Sequence, residues 1–538
     1  MFLVDKMSQM NKQSSPNAAF FRQSLVILAV LLSLVGCERP DPQVTIVASP
    51  GAFGAPPTPL VTPFGSIGGS ASQSSQSANN SFAAGLPEYA GTPTPDPPHY
   101  AVSDSSPSFV SHNVAAGETL GYIAQLYGSS IEELQAANNL GQADLLYAGQ
   151  ALQIPRQGQL AGSSFKIIPD NELVFGPAAK GMDTRAFIEQ FNGYLASYRE
   201  TVEGQLLDGP AIVQLVADRH SVNPRLLLAV LEYRTGWVTQ PSGNVVDDGY
   251  PMEHYIPHLA GLYQQLSWAA NLLNWGYYGR SEAAMTSFLV NDGTRLSFDP
   301  TINDGTAGAQ ALLAAHDGAT VASWQYDVGP NGLFATYGRL FGNPFAYTVD
   351  PLWPNGLTQP PLRLPWADGE TWYFTSGPHG GWNSGSAWAA LDFVPNSAQL
   401  GCIQSNAWTL SMADGLVVRS EFGAVVVDLD GDGYAGTGWV ILYMHLETRD
   451  RVPAGAWVQT GDRLGHPSCE GGFSNGTHVH VARLYNGRWV SADGAIPFEM
   501  GGWVSQGLGR EYDGLLIRGG ETKEACECRE ALNAISDR

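Results

Sequence analysis

Ser474-Asn475-Gly476-Thr477-His478-Val479-His480-Val481-Ala482-Arg483-Leu484 decides how the C-terminal part of the chain is read. Alternate side chains of an extended strand share a face, so His478 and His480 point one way while Val479 and Val481 point into a packed layer behind them. Two imidazoles then share one small volume. Folding alone makes no such demand, whereas a zinc site needs convergent ligands at about 2.0–2.1 Å. The bland alternative is a surface strand with incidental histidines, and the segments upstream decide between the two.

Those segments are Gly377-Pro378-His379-Gly380-Gly381 and Trp388-Ala389-Ala390-Leu391-Asp392-Phe393. Glycines around His379 predict a loop able to turn a ligand inward, and the apolar run before Asp392 predicts a strand. A third segment, Trp439-Val440-Ile441-Leu442-Tyr443-Met444-His445, reads as a buried strand ending in histidine. Five of the eleven histidines (His379, His445, His466, His478, His480) lie beyond residue 370, the clustering expected of a metal site.

His379, Asp392, His445 and His478-Val479-His480 resemble the signature of the lysostaphin/LytM-type zinc endopeptidases, which cut peptidoglycan cross-links. The usual first motif of that family has His and Asp four residues apart. Here 392 − 379 = 13 positions separate them, and the insertion Gly380 to Leu391 is similar to the LasA (staphylolysin) branch. The resemblance implies His379, Asp392 and His480 as zinc ligands, with His445 and His478 as a catalytic pair beside them. Three protein ligands leave a fourth tetrahedral position open, as catalytic rather than structural zinc requires. Which histidine of the pair serves as base stays open.

Upstream, residues 1–37 read as a targeting segment. Lys12 and Arg22 precede the apolar run Leu25 to Leu32, too short for a membrane span of ~20 apolar residues. Leu34-Val35-Gly36-Cys37 resembles a bacterial lipobox, which implies cleavage before Cys37, lipid on its thiol and a cell-envelope location, or simple secretion if the lipid is absent. Residues 38–109 are Pro-, Ser- and Gly-rich with few charges, a composition that predicts a disordered tether with a reach of roughly 45 Å. Removing Cys37 from the five cysteines leaves Cys402, Cys469, Cys526 and Cys528, an even number suited to an oxidising compartment. Cys402 and Cys469 are a candidate pair; Cys526 and Cys528 are too close for an unstrained bridge, though one is not excluded.

Residues 110–156 form a small module. Thr119 precedes a helix carrying Leu120, Ile123, Ala124 and Tyr127, which Gly128 ends, and Ser130-Ile131-Glu132-Glu133 is a capping box for a second helix. Gly117-Glu118-Thr119-Leu120, Asn138-Asn139-Leu140 and Gly149 to Pro155 together resemble a LysM domain. That implies binding of N-acetylglucosamine-containing glycans, through Gly117, Thr119, Leu120 and Asn139 in the loops around them.

Residues 165–350 read as mainly helical. His220 to Trp237 is similar to the opening helix of lysozyme-like lytic transglycosylases, yet Arg234 stands where that family has its catalytic acid. Glu232, the nearest carboxylate, lies two positions away, about 200° around a helix. The expectation is a non-cleaving domain that still holds glycan, with Trp268, Trp275, Tyr277 and Tyr278 as candidate sugar platforms. His254 and His258 are not a metal pair, because Pro257 breaks any helix that would align them.

Residues 353–520 show short β-runs between Gly-rich turns, as an antiparallel domain does. Asp428-Leu429-Asp430-Gly431-Asp432-Gly433 has calcium-loop spacing, but Trp439 holds the position where an EF-hand needs Glu, so an Asp-rich turn is expected. Residues 521–538 are a charged tail, expected to be frayed. The fold class is thus multidomain α+β: a βααβ LysM module, a mainly helical lysozyme-like middle domain and an antiparallel β-sheet zinc endopeptidase domain.

At 44% hydrophobic residues the chain can build compact cores, while a net charge of −23 excludes a general nucleic-acid or anionic-membrane binder. Membrane contact is expected through the lipid only, and peptidoglycan is the expected partner. Three alternatives remain beside the zinc endopeptidase: a non-catalytic regulator of a partner amidase, a wall-binding protein without catalysis, and a bifunctional hydrolase with glycosidase activity in residues 165–350.

Overall fold

The computed structural model describes residues 109–536 apart from 115–117, 128, 142–145, 156–159, 242–248, 284, 350, 397–400 and 473. The targeting segment with Cys37, the tether as far as residue 108 and Gly117 lie outside the described residues, while Phe109, expected to end the tether, begins the first strand. No helix among the described residues is long and apolar enough to cross a membrane.

The first module is β1 (Phe109–Asn113), α1 (Leu120–Leu126), α2 (Ile131–Asn138) and β2 (Ala151–Pro155), with β1 antiparallel to β2. Both expected caps form. Thr119 Oγ1 accepts from the Tyr122 N–H at 3.1 Å. Ser130 and Glu133 exchange side-chain and backbone bonds of 3.0 Å each, and Asn139 closes α2 in the left-handed region at φ 53°. Ile123, Leu134, Leu152 and Ile154 make its small core.

The middle region is built on α3 (Gly209–His220), α4 (Pro224–Thr235), α5 (Leu262–Ser281), α6 (Asp304–Ala315), α7 (Val321–Asp327) and α8 (Leu333–Phe341). Helix α5 is buried nearly all round, which corrects the expectation of sugar platforms there: Trp268, Tyr277 and Tyr278 are core, and Trp275 is packed against that core. Glu232 spends its carboxylate on the turn after α4, accepting from Val238 N–H, Thr239 N–H and the Thr239 hydroxyl at 3.0, 3.1 and 2.6 Å. It is a clamp and not an exposed acid.

The C-terminal domain centres on a nine-stranded sheet. Its strands are β3 (Thr371–His379), β4 (Ala390–Pro395), β5 (Gly415–Glu421), β6 (Ala424–Asp428), β7 (Trp439–Met444), β8 (Trp457–Val458), β9 (Val479–Tyr485) and β10 (Arg488–Trp489), with one more from the tail. A second sheet holds β11 (Glu499–Met500), β12 (Trp503–Gly507), β13 (Gly514–Arg518) and β14 (Glu521–Glu524). The ninth strand, β15 (Ala534–Ser536), pairs antiparallel with β3, and the order in the large sheet is β8-β5-β6-β7-β9-β4-β3-β15, with β10 on β9. The tail is therefore woven into both sheets and not frayed. Asn533 anchors it, its Nδ2 donating to the carbonyls of Phe374, Cys526 and Cys528.

Alternation divides the large sheet. Val425, Val427, Ile441, Tyr443, Val479 and Val481 pack into a core on one face. On the other, Val426, Val440, Leu442, Met444, Ala482 and Leu484 join the core of the helical region. The helices thus cover part of the sheet face that also carries His480.

Cys402 and Cys469 are joined, as are Cys526 and Cys528 despite their closeness in sequence. The first bridge closes a 67-residue separation, a loop whose closure stabilises the fold by about 4 kcal/mol in the chain-entropy account. The Asp428 turn has its backbone donors satisfied by its own carboxylates, with Gly431 and Gly433 in the left-handed region, and Lys180 from the helical region binds Asp432 at 2.5 Å.

Candidate metal centre

Three strands bring the centre together. β9 pairs with β4 so that His480 lies opposite Asp392, and β4 pairs with β3 so that His379 lies opposite Ala390. His379 is the last residue of a strand, where the glycines around it predict a loop; the register shifts near Ser376 re-aim the end of β3 toward the sheet. β7 sits on the other side of β9 and delivers His445 one residue past its end, at φ 61°, a left-handed backbone that non-glycine residues adopt at a cost. His478 immediately precedes β9 and bridges to Ser468.

The geometry is a small triangle. His379 Nε2 lies 3.1 Å from His480 Nδ1 and 3.3 Å from Asp392 Oδ1, and His480 Nδ1 lies 3.2 Å from the same oxygen. A tetrahedron with bonds of 2.0–2.1 Å has edges of about 3.3–3.4 Å, so the three atoms match one face of it. The far nitrogens are fixed. His379 Nδ1–H donates to the Gly377 carbonyl at 2.8 Å and His480 Nε2–H to the Gly381 carbonyl at 3.1 Å. With those nitrogens holding the ring protons, each imidazole can offer a lone pair to the triangle.

Asp392 Oδ1 is buried there without a hydrogen bond of proper geometry. Two lone pairs and a carboxylate oxygen facing one another are stable only around a cation, so the residues fit a divalent metal. His379, Asp392 and His480 are the described residues able to chelate at this point; the Asp428, Asp430 and Asp432 turn is the other close carboxylate group.

Burial disfavours charge on each member. At Asp392 that upward push is overcome by His379 and His478, and the carboxyl stays well below its usual range. At His379 burial pushes down, but the Asp392 carboxylate and the Gly377 carbonyl reverse the net shift to upward. Burial dominates at His480 and His445, both below the ordinary imidazole value, with His478 and His480 pushing His445 further.

His445 and His478 flank the triangle with ring centroids 4.4 Å apart. Each has one nitrogen on a backbone carbonyl, His445 Nδ1 on Glu470 at 3.1 Å and His478 Nδ1 on Gly476 at 2.7 Å. Their Nε2 atoms are not used by those carbonyls, and His478 Nε2 lies 3.8 Å from Asp392 Oδ2. His466 is not part of the centre. Its ring packs against Trp408 at a tilt of 43°, and its Nδ1 donates to the Ala407 carbonyl.

Some contributors leave no trace in the sequence. Tyr512 stacks on the His379 ring at 4.8 Å and 23°, from a loop whose backbone bonds Gly377 and Pro378. The insertion between His379 and Asp392 docks on α5, where Asn271 Oδ1 accepts from the Gly385 N–H at 2.8 Å. That docked loop supplies the Gly381 carbonyl to His480.

An antiparallel sheet gathers His, Asp and His at one point, beside a small βααβ module and a helical region. The chain has distant homology to LasA-type proteases. Residues 166–355 match the family described as LasA, N-terminal domain, and residues 112–155 match LysM domain. Among individual relatives stands Protease LasA of Pseudomonas aeruginosa. One form is 27% identical over 304 residues, covering 51% of this chain and 66% of its own length; a second is 27% identical over 367 residues, covering 63% and 78%. Among solved structures, the M23 metalloprotease pseudoalterin is 27% identical, with 31% of this chain and 96% of pseudoalterin covered at a TM-score of 0.27.

Proposed function

We propose that the protein is an exported zinc metalloendopeptidase that hydrolyses peptide cross-links of peptidoglycan, held to the wall by its LysM module. The observation that carries the reading is the convergence of His379 Nε2, Asp392 Oδ1 and His480 Nδ1 to within 3.1–3.3 Å of one another, with the other nitrogen of each imidazole on a backbone carbonyl. The homology to LasA and the LysM match support it. An extracytoplasmic location is supported by the two disulfides and the LysM module. Lipid attachment at Cys37 belongs to the same proposal, as does glycan contact by Gly117, Thr119, Leu120 and Asn139.

His379, Asp392 and His480 would hold a zinc ion, which would supply a Lewis acid for water and for the scissile carbonyl. The chain supplies the rest. His478, with Nδ1 on the Gly476 carbonyl, presents Nε2 as a proton acceptor, and His445, similarly held by Glu470, presents a second nitrogen beside it. One takes the proton of the attacking water. The other, taking a proton from solvent, would donate to the oxygen on which charge develops, an effect worth roughly 2.7–4 kcal/mol where a single donor has been removed elsewhere.

The full-length protein provides the test. His480→Ala is expected to lose bound zinc, whereas His478→Ala keeps about one zinc per chain by elemental analysis and loses at least about a hundredfold in rate. Mass analysis of fragments released from purified peptidoglycan then identifies the bond cut. Equal zinc loss in both variants would overturn the division of roles, and release of no peptide-cleaved fragments by zinc-loaded protein would leave a binder or regulator instead.

A further inference from the structure

The helical region gathers a second set of chemistry-bearing side chains away from the metal. Tyr233 and Arg234 lie in the last turn of α4, Glu253 on the segment before α5, His316 directly after α6, and Asp327 at the end of α7. Arg234 Nη1 is 3.4 Å from Glu253 Oε2 and 3.5 Å from Asp327 Oδ2. His316 spans the same two carboxylates, Nδ1 3.3 Å from Glu253 and Nε2 3.9 Å from Asp327. The Tyr233 hydroxyl donates to Asp327 Oδ1 at 2.5 Å.

Structure alone gives a poor account of this arrangement. The His316 ring is 8% exposed, yet neither of its nitrogens has a properly formed hydrogen bond. A buried polar atom left so costs about 1–3 kcal/mol. Glu253 is held at φ 58°, in the left-handed region, a strain that persists where function selects it. Burial and the neighbouring Arg234 push the His316 imidazole down to about 3, so it is neutral, and burial lifts Asp327 above its ordinary value.

The chemistry narrows the ligand. A metal ion is disfavoured, because the two His316 nitrogens face different carboxylates and a guanidinium lies between those carboxylates. An anion is disfavoured by two carboxylates around one arginine. What remains is a neutral group that both donates and accepts, as a sugar hydroxyl does: Arg234 and Tyr233 offer donors, while Glu253, Asp327 and His316 offer acceptors. Two exposed tyrosines adjoin these residues along the chain, Tyr326 at 61% next to Asp327 in sequence and Tyr255 at 52%, its backbone N–H held by Asp317, the residue after His316. Tyrosine rings present an apolar face to the C–H side of a pyranose and keep a polar tip in water.

We propose that Arg234, Glu253, His316 and Asp327, with Tyr255 and Tyr326 adjoining them in the chain, form a saccharide-binding site for a neutral pyranose chain. The site shares no residue with the metal centre and goes beyond the peptidase reading, giving the chain a glycan grip separate from LysM.

Calorimetric titration of the full-length protein with tetra-N-acetylchitotetraose tests it. Tyr326 and Glu253 are accessible enough to change without loss of fold. Tyr326→Ala is expected to weaken this site about tenfold, equivalent to about 1.4 kcal/mol. Tyr326→Ala combined with Glu253→Gln takes up one equivalent fewer than the parent. Hydroxyl-radical footprinting of the parent, which needs no variant, is expected to show Tyr255 and Tyr326 protected by the saccharide. Equal uptake by parent and double variant, with both tyrosines unprotected, overturns the proposal. His480→Ala retains the full saccharide uptake, so failure of the peptidase reading and failure of this one are told apart.

Discussion

His220 ends α3 fully buried, with neither ring nitrogen bonded, and burial pushes its pKa down to about 3. The unfolded chain takes up a proton on this imidazole below about 6.5 and the folded chain does not until about 3, so stability falls as pH drops through that window. The slope is at most about 1.4 kcal/mol per pH unit for the single group. His220→Leu is expected to make the pH dependence shallower by that amount, read from urea unfolding at about pH 6, 5 and 4. An unchanged slope would show that the ring is protonated in the folded state. At the metal centre, Tyr512→Ala removes the ring stacked on His379 and is expected to weaken zinc binding about tenfold by chelator competition, as loss of groups around ligands commonly does. Residues of this kind are silent in a sequence, since a tyrosine in a polar loop carries no mark of the histidine it will cover.

Among elements, the strand-borne features are the legible ones. Val479 and Val481 face the core while His480 faces the centre, because period-two alternation is a local rule. The capping box at Ser130 and Glu133 is equally local. The insertion between His379 and Asp392 is different: its length is visible, but its seat on α5 depends on Asn271, 114 positions away. The tail misleads for a related reason. Its charges suggest solvent, yet β14 and β15 need only backbone pairing to join the sheets. The seated insertion makes a prediction. A Cβ on Gly385 would lie 2.0 Å from the Asn271 carbonyl oxygen. Gly385→Ala is expected to unseat the loop, loosen the Gly381 carbonyl from His480 and lower zinc affinity roughly ten- to a hundredfold, with secondary structure by circular dichroism unchanged.

For the whole molecule, the sequence divides cleanly into module, helical region and sheet domain because Pro- and Gly-rich stretches separate them, but it does not disclose how they lean on one another. The helical core runs without a break onto the sheet, so α3 and α5 and the strands share one apolar interior. The LysM module is tied to both neighbours, Glu133 to Arg295 of the helical region and Glu118 to Arg510 of the sheet domain at 3.0 Å. Arg295→Ala removes the nearly buried partner of Glu133 and is expected to free the module, raising its protease susceptibility relative to the rest of the chain. Equal digestion of variant and parent would show that the tie carries no weight.

The tie to Arg510 has a further consequence. Arg510 stands two residues before Tyr512, which lies against a metal ligand, so the module's ion pair and the metal centre share one short loop. On the function proposed above, a gripping end fastened this way to a cutting end would act as a ruler: wherever the protein settled on its polymer, the break would fall a set distance away, and the pieces released should cluster in size instead of spreading.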